Sequence, residues 1–303
     1  MKTPVALFIF NRPETTARVF SEISKARPPK LLVIADGPRA DQPGDADLCV
    51  TTRKVVEKVD WDCEVLTNYS EVNLGCGQRP ASGISWVFQK VEEAIILEDD
   101  CLPHSTFFQF CDELIDRYRD DERVMMISGD NFQEGKKRTS HSYYFSRYAH
   151  TWGWATWRRA WRFYDFDMKL WPELRETTWL LDTLGQEEPA AYWRTTFDRL
   201  SNTSDVWDYQ WTFACWMQNA LTILPEVNLV SNIGWGDDAT HTRTVDNPAA
   251  NLPTEAMTFP LSHPADMARN TEADDFTFNK HFAGWTPNLY RRLRRRVMGL
   301  KNG

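Results

Sequence analysis

No glycine-rich phosphate loop is present. The first apolar run ends at Asn11-Arg12-Pro13 where a GxGxxG turn would stand, and GxxxxGK[ST] occurs nowhere. A Rossmann dinucleotide site and a P-loop are therefore disfavoured. No CxxC pair occurs either. The six cysteines (Cys49, Cys63, Cys76, Cys101, Cys111 and Cys215) are scattered, which argues for reduced thiols in a cytosolic protein and against a disulfide framework or a zinc site. Long hydrophobic runs are missing. The amino terminus carries a seven-residue apolar run before Asn11, well short of the roughly 20 residues that span a bilayer, and it lacks a signal peptide's cleavage region. Excess positive charge is missing too: a net charge of −8 speaks against broad nucleic-acid binding. There is no internal repeat and no low-complexity linker.

What is present is enough apolar material for a sizeable core. The chain has 303 residues, 42% of them hydrophobic, with fourteen tryptophans. The tryptophans cluster between Trp152 and Trp235, which predicts flat apolar walls at a site as well as core packing. Residues 5–10, 31–35 and 63–66 read as short strands. Helical patterns intervene over residues 14–25 and 45–59. This βαβαβ rhythm predicts an α/β fold with a mostly parallel central sheet flanked by helices. Its strands end at Arg12, Asp36 and Asn68, so those residues should gather along one rim. A glycine-broken loop is expected over residues 73–80, with Ser82 capping a helix that follows it. Ser105 is expected to cap the next helix.

The chain is organised around Ala94-Ile95-Ile96-Leu97-Glu98-Asp99-Asp100-Cys101-Leu102-Pro103. Four apolar residues read as a strand buried on both faces and run straight into three carboxylates. Lone carboxylates cannot be buried cheaply, so the acids must lie where the strand emerges at the sheet's carboxyl rim. A solvated acidic turn is one reading. The other is a site for Mg²⁺ or Mn²⁺, hard cations that take oxygen ligands and bridge to phosphates. With Arg12 as a planar fork for phosphate or base and Asp36 as a partner for a nucleobase or ribose, the rim suits a sugar nucleotide.

Two further residues each read two ways. Asp208, between Trp207 and Tyr209, is either a general base that deprotonates an acceptor hydroxyl or a helix N-cap. His241 is either a metal or phosphate ligand or a hydrogen-bonded surface residue. Thr151-Trp152-Gly153-Trp154 has no clean period, and Gly153 suggests a close approach of backbone to a ligand or to another segment. Residues 290–300 are basic and weakly amphipathic, suited either to peripheral contact with an anionic membrane surface or to a solvated helix.

Taken in order, these motifs resemble glycosyltransferases of the GT-A fold, in particular the N-acetylglucosaminyltransferase I type and its bacterial relatives, over roughly residues 4–240. PVALFIFNRPET is similar to the family's opening strand and nucleotide-binding Arg, a role that falls on Arg12. Asp36 in ADGPR is similar to the uracil-contacting acid. AIILEDDCLPHSTFFQF looks like the Glu-Asp-Asp motif, which implies that Asp100 binds Mn²⁺ while Glu98 and Asp99 orient the nucleotide and the metal's waters. HTWGWATWRRAW resembles the Gly-Trp segment near donor and acceptor, so Gly153, Trp154 and Trp207 are expected to bind substrate. VWDYQW resembles the segment carrying the base, placed here on Asp208, although Tyr209 stands where the family often has a second acid. His241 is expected as a C-terminal metal ligand.

The resemblance implies a metal-dependent inverting enzyme, using Mn²⁺ or Mg²⁺ and a UDP-sugar such as UDP-GlcNAc. Its acceptor would be a glycan or a lipid-linked molecule, in bacterial surface polysaccharide synthesis in the cytoplasm. Residues 1–245 would form the catalytic domain, with its nucleotide-binding half over 1–131 and its acceptor half over 132–245. Residues 246–303 would be a C-terminal extension. A sugar-nucleotide nucleotidyltransferase and a non-catalytic carbohydrate-binding protein are the rival classes.

Overall fold

The computed structural model describes residues 1–201, 205–235 and 251–283. The first half of the chain alternates strand and helix: β1 (Val5–Ile9), α1 (Pro13–Ala26), β2 (Lys30–Ala35), α2 (Asp45–Val56), β3 (Glu64–Tyr69), α3 (Gly75–Lys90) and β4 (Glu93–Glu98). After β4 come β5 (Cys101–Pro103), α4 (Ser105–Arg117), β6 (Val124–Ser128), β7 (Tyr143–Ser146) and β8 (Trp154–Trp157). Short helices α5 (Arg158–Trp161), α6 (Trp171–Leu174) and α7 (Trp179–Leu184) precede α8 (Glu187–Leu200) and α9 (Asp208–Met217). β9 (Leu221–Pro225), β10 (Val230–Asn232) and α10 (Thr271–Thr277) follow, and α10 runs into a π-helical segment, Phe278–Phe282, the last element of the described part.

Eight strands form one sheet in the order β3-β2-β1-β4-β8-β6-β9-β7. β3, β2, β1 and β4 are parallel. β8 runs antiparallel between β4 and β6, β9 is parallel to β6, and β7 is antiparallel to β9. The architecture is the expected α/β class, a mostly parallel sheet between helices.

Burial explains why the strands lack an apolar/polar alternation. Along β1, Ala6 and Phe8 pack on one face with Ile84, Val87 and Phe88 of α3, while Val5, Leu7 and Ile9 pack on the other with Val19, Phe20 and Ile23 of α1. Both faces are covered, so both must be apolar.

Three local expectations are corrected. α3 begins at Gly75, with Pro80 inside it, and Ser82 lies in its interior, donating to the Gln78 carbonyl at 2.8 Å. Ser105 opens α4, and the cap is His104, whose side chain accepts from the Thr106 N–H at 3.2 Å. Within residues 151–157, Trp154–Trp157 is β8; it is buried throughout, so no period shows. Residues 269–277 pack on the β7 edge, where Asn270 N–H donates to the Phe145 carbonyl at 2.8 Å and α10 rests against β7. Among the described residues no helix is long and apolar enough to cross a membrane.

Candidate functional site

The carboxyl ends of β1, β2 and β4 bring Arg12, Asp36 and the acidic triplet to one rim. Arg12 follows β1 and reaches across to the end of β4. Its Nη1 lies 2.9 Å from Asp100 Oδ2 and 3.9 Å from Asp99 Oδ1. Asp99 is tied down separately, since its Oδ2 accepts from the Phe10 N–H at 3.0 Å. Burial, followed by the neighbouring carboxylates, raises the pKa of both Glu98 and Asp99. Burial works against the Arg12 charge, but Asp99 and Asp100 outweigh it and hold the guanidinium charged.

Asp208, remote in sequence, comes to the same place. It is the first residue of α9, and the cap position is Trp207. The N-cap alternative therefore does not hold. Asp208 stands close enough to Glu98 for its charge to help raise the Glu98 pKa, after burial and the two neighbouring acids. The segment that carries it is pinned from two sides. Tyr164 Oη donates to the Trp207 carbonyl at 3.1 Å, and Cys76 Sγ contacts the Asp205 carbonyl at 3.1 Å. Sequence reasoning missed both residues, since a lone Tyr and a lone Cys carry no motif.

Asp36 is at the rim but is fully engaged. Its Oδ1 accepts from the N–H groups of Gly37 and Leu74, and its Oδ2 from Gly75 N–H and Asn73 Nδ2, at 2.9–3.1 Å. These bonds fill the acceptor capacity of a carboxylate and make Asp36 the external cap of α3.

The expected substrate-binding residues also have internal roles. Trp154 is 1% exposed and Trp207 6%, and their rings stack on each other at 5.7 Å. Gly153 has φ +70°, and a Cβ there would meet Val230 Cγ2 at 2.7 Å. The close approach is to β10, and the backbone conformation favours glycine. Half-buried aromatics near Gly153 include Phe132, Trp152 and Trp235. Phe132 and Trp152 meet edge to face at 5.2 Å, and Trp152 and Trp235 at 6.0 Å.

Two other features bear on the rim. Asp130 follows β6 and is 1% exposed. Its Oδ2 accepts from Trp152 N–H at 3.0 Å, its Oδ1 has no partner among the described residues, and burial raises its pKa. A buried strand ending in Asp was the available signal, the same one that marked Asp36. Gly234 lies against Asp100: a Cβ there would sit 2.1 Å from Asp100 Oδ2. His241 and residues 290–300 lie outside the described residues.

The rim can be tested for fit to a divalent cation. Among the described residues no group of three His, Cys, Asp or Glu side chains could hold a metal ion. The rim nevertheless concentrates hard oxygen donors, with Arg12 as their close cationic partner. Such a donor set fits an ion that takes Asp100 from the protein and other oxygens from a ligand, as Mg²⁺ or Mn²⁺ does with phosphates.

No family model and no curated protein matches the sequence. Among solved structures the chain is similar to a mannosyltransferase of Pyrobaculum calidifontis in complex with GDP-Man and Mn²⁺, at 13% identity and a TM-score of 0.37, over 53% of this chain. The chain spans 45% of that protein's length. It is similar to mouse xyloside xylosyltransferase 1 in its apo form, at 10% identity and a TM-score of 0.34, over 71% of this chain and 81% of the other. It is also similar to the inositol-1-phosphate CTP transferase of T. maritima, at 11% identity and a TM-score of 0.38, over 74% and 85%. At these TM-scores the likenesses carry no argument about activity, and the site must be judged by its own residues.

Proposed function

We propose that this protein is a metal-dependent, inverting glycosyltransferase that moves a sugar from a UDP-sugar to a hydroxyl of a glycan or lipid-linked acceptor. One observation carries the reading. A carboxylate at the start of α9, set among aromatic rings, lies within electrostatic reach of the acidic end of β4. Arg12 offers its fork to the diphosphate. Asp100 would hold a divalent ion, which would supply positive charge for the departing UDP. Asp208 takes the proton from the acceptor hydroxyl as its oxygen bonds to the anomeric carbon, and the bond from that carbon to UDP breaks with its electron pair leaving on UDP. Tyr164 and Cys76 hold the Asp208 segment in place. Asp36 serves the site indirectly by fixing the first turn of α3.

Calorimetric titration of UDP with Mn²⁺, and again with EDTA, tests the donor site; binding that ignores EDTA overturns the metal role. The Asp208→Asn variant should keep metal-dependent UDP binding and lose roughly 10²–10⁴-fold in transfer rate. Transfer at the wild-type rate removes Asp208 as the base. Pyrophosphate release from UTP and a sugar phosphate would assign the chain to the nucleotidyltransferases instead.

A further inference from the structure

We infer that Arg12 is the resident cation of Asp100 and gives it up when a metal-bound nucleoside diphosphate enters, so that metal and nucleotide bind well only together. The inference rests on the proposed donor site but concerns the order in which that site fills.

Asp99 and Asp100 are held differently. Asp99 is fixed to the backbone of β1 through Phe10 N–H, and Arg12 approaches it at 3.9 Å. Asp100 has Arg12 at 2.9 Å. The side chains are 20% exposed for Arg12 and 16% for Asp100, so water screens the pair only in part. Gly234 also lies against this carboxylate, where a Cβ would sit 2.1 Å from Asp100 Oδ2. A divalent ion joining Asp100 Oδ2 would therefore meet the guanidinium at near contact, and like charges at that range repel strongly in a partly desolvated site.

The two can coexist if Arg12 swings to a new anion. Its side chain is long, and its planar fork suits two phosphate oxygens better than one carboxylate oxygen. A diphosphate supplies both the new partner for Arg12 and further oxygens for the ion. Each ligand then removes an obstacle to the other, and the coupling must be equal in both directions.

The experiment measures Mn²⁺ affinity of the full chain from the electron paramagnetic resonance signal of free Mn²⁺, first without nucleotide and then with saturating UDP. Wild type and Arg12→Lys should bind Mn²⁺ weakly alone and about tenfold or more tightly with UDP. Arg12→Gln should bind Mn²⁺ alone about tenfold more tightly than wild type, with the gain from UDP much reduced. Circular dichroism checks that each variant is folded. An Arg12→Gln protein that binds Mn²⁺ no more tightly than wild type overturns the inference. Should that variant not fold, UDP and GDP that both leave the wild-type Mn²⁺ affinity unchanged overturn it equally. If GDP produces the coupling and UDP does not, the UDP assignment fails and the role of Arg12 stands.

Discussion

Asp36, Asp100 and Asp208 are all aspartates at the ends of elements, yet each meets a different set of donors. Asp36 is saturated by N–H groups from residues 37 and 73–75. Asp100 faces a guanidinium and a glycine. Asp208 joins the field of the acidic triplet. The glycine is the cleanest residue-scale test. Gly234→Ala puts a methyl carbon 2.1 Å from Asp100 Oδ2, and Asp100 Cβ and Cγ are each 2.7 Å away. The carboxylate must turn and lose its present geometry. Metal-dependent UDP affinity should fall by about tenfold or more, ~1.4 kcal/mol, because the 2.7 Å contact with Asp100 Cβ also forces a local backbone shift; circular dichroism checks that the fold persists. Unchanged affinity by calorimetry would show that the geometry of Asp100 is not what the ligand needs. That Arg12, Asp99 and Asp100 lie at the rim was legible in the sequence because burying charge is costly and clustered carboxylates demand an explanation. The saturation of Asp36 was not, because its donors come from a segment that folds back onto it.

Among the elements, the misread start of α3 has a cause outside its own segment. α3 starts earlier than its own sequence suggests because its cap comes from Asp36, and no local pattern announces a cap supplied by another strand. The docking of α10 on β7 has the same character. Asp274 of α10 is 4% exposed, accepts from the Ser146 hydroxyl and lies 3.5 Å from Arg269. Burial outweighs both partners and pushes its pKa up to about 7. The folded state therefore binds this proton more tightly than the unfolded state. The stabilisation it brings is complete below about pH 4 and is lost as pH rises through 7. Asp274→Asn keeps the shape and removes the proton. Its Tm should vary less than the wild-type Tm between pH 4 and 8, and parallel profiles would place the proton elsewhere.

At the scale of the whole molecule, the tryptophans that suggested sugar-stacking walls are mostly core. Trp154 stacks on Trp207 and packs against Trp161 and Trp211 at 6.4 and 5.8 Å. Trp154→Ala should cost about 3–5 kcal/mol of stability, measured by denaturant unfolding. Wild-type stability with weakened substrate binding would instead put that ring at a binding face. The sequence by itself determined the strand–helix order of the first half, the covered sheet and the acidic rim. Runs such as ALFI and AIIL can only be buried on both faces, and the carboxylates after AIIL can only be where the sheet ends. Tertiary structure alone decided which aromatics are core, which aspartate is already saturated, and that α9 delivers Asp208 to the end of β4. Those outcomes depend on contacts between segments far apart in the chain, and neither residue type nor spacing encodes which partner a side chain will meet.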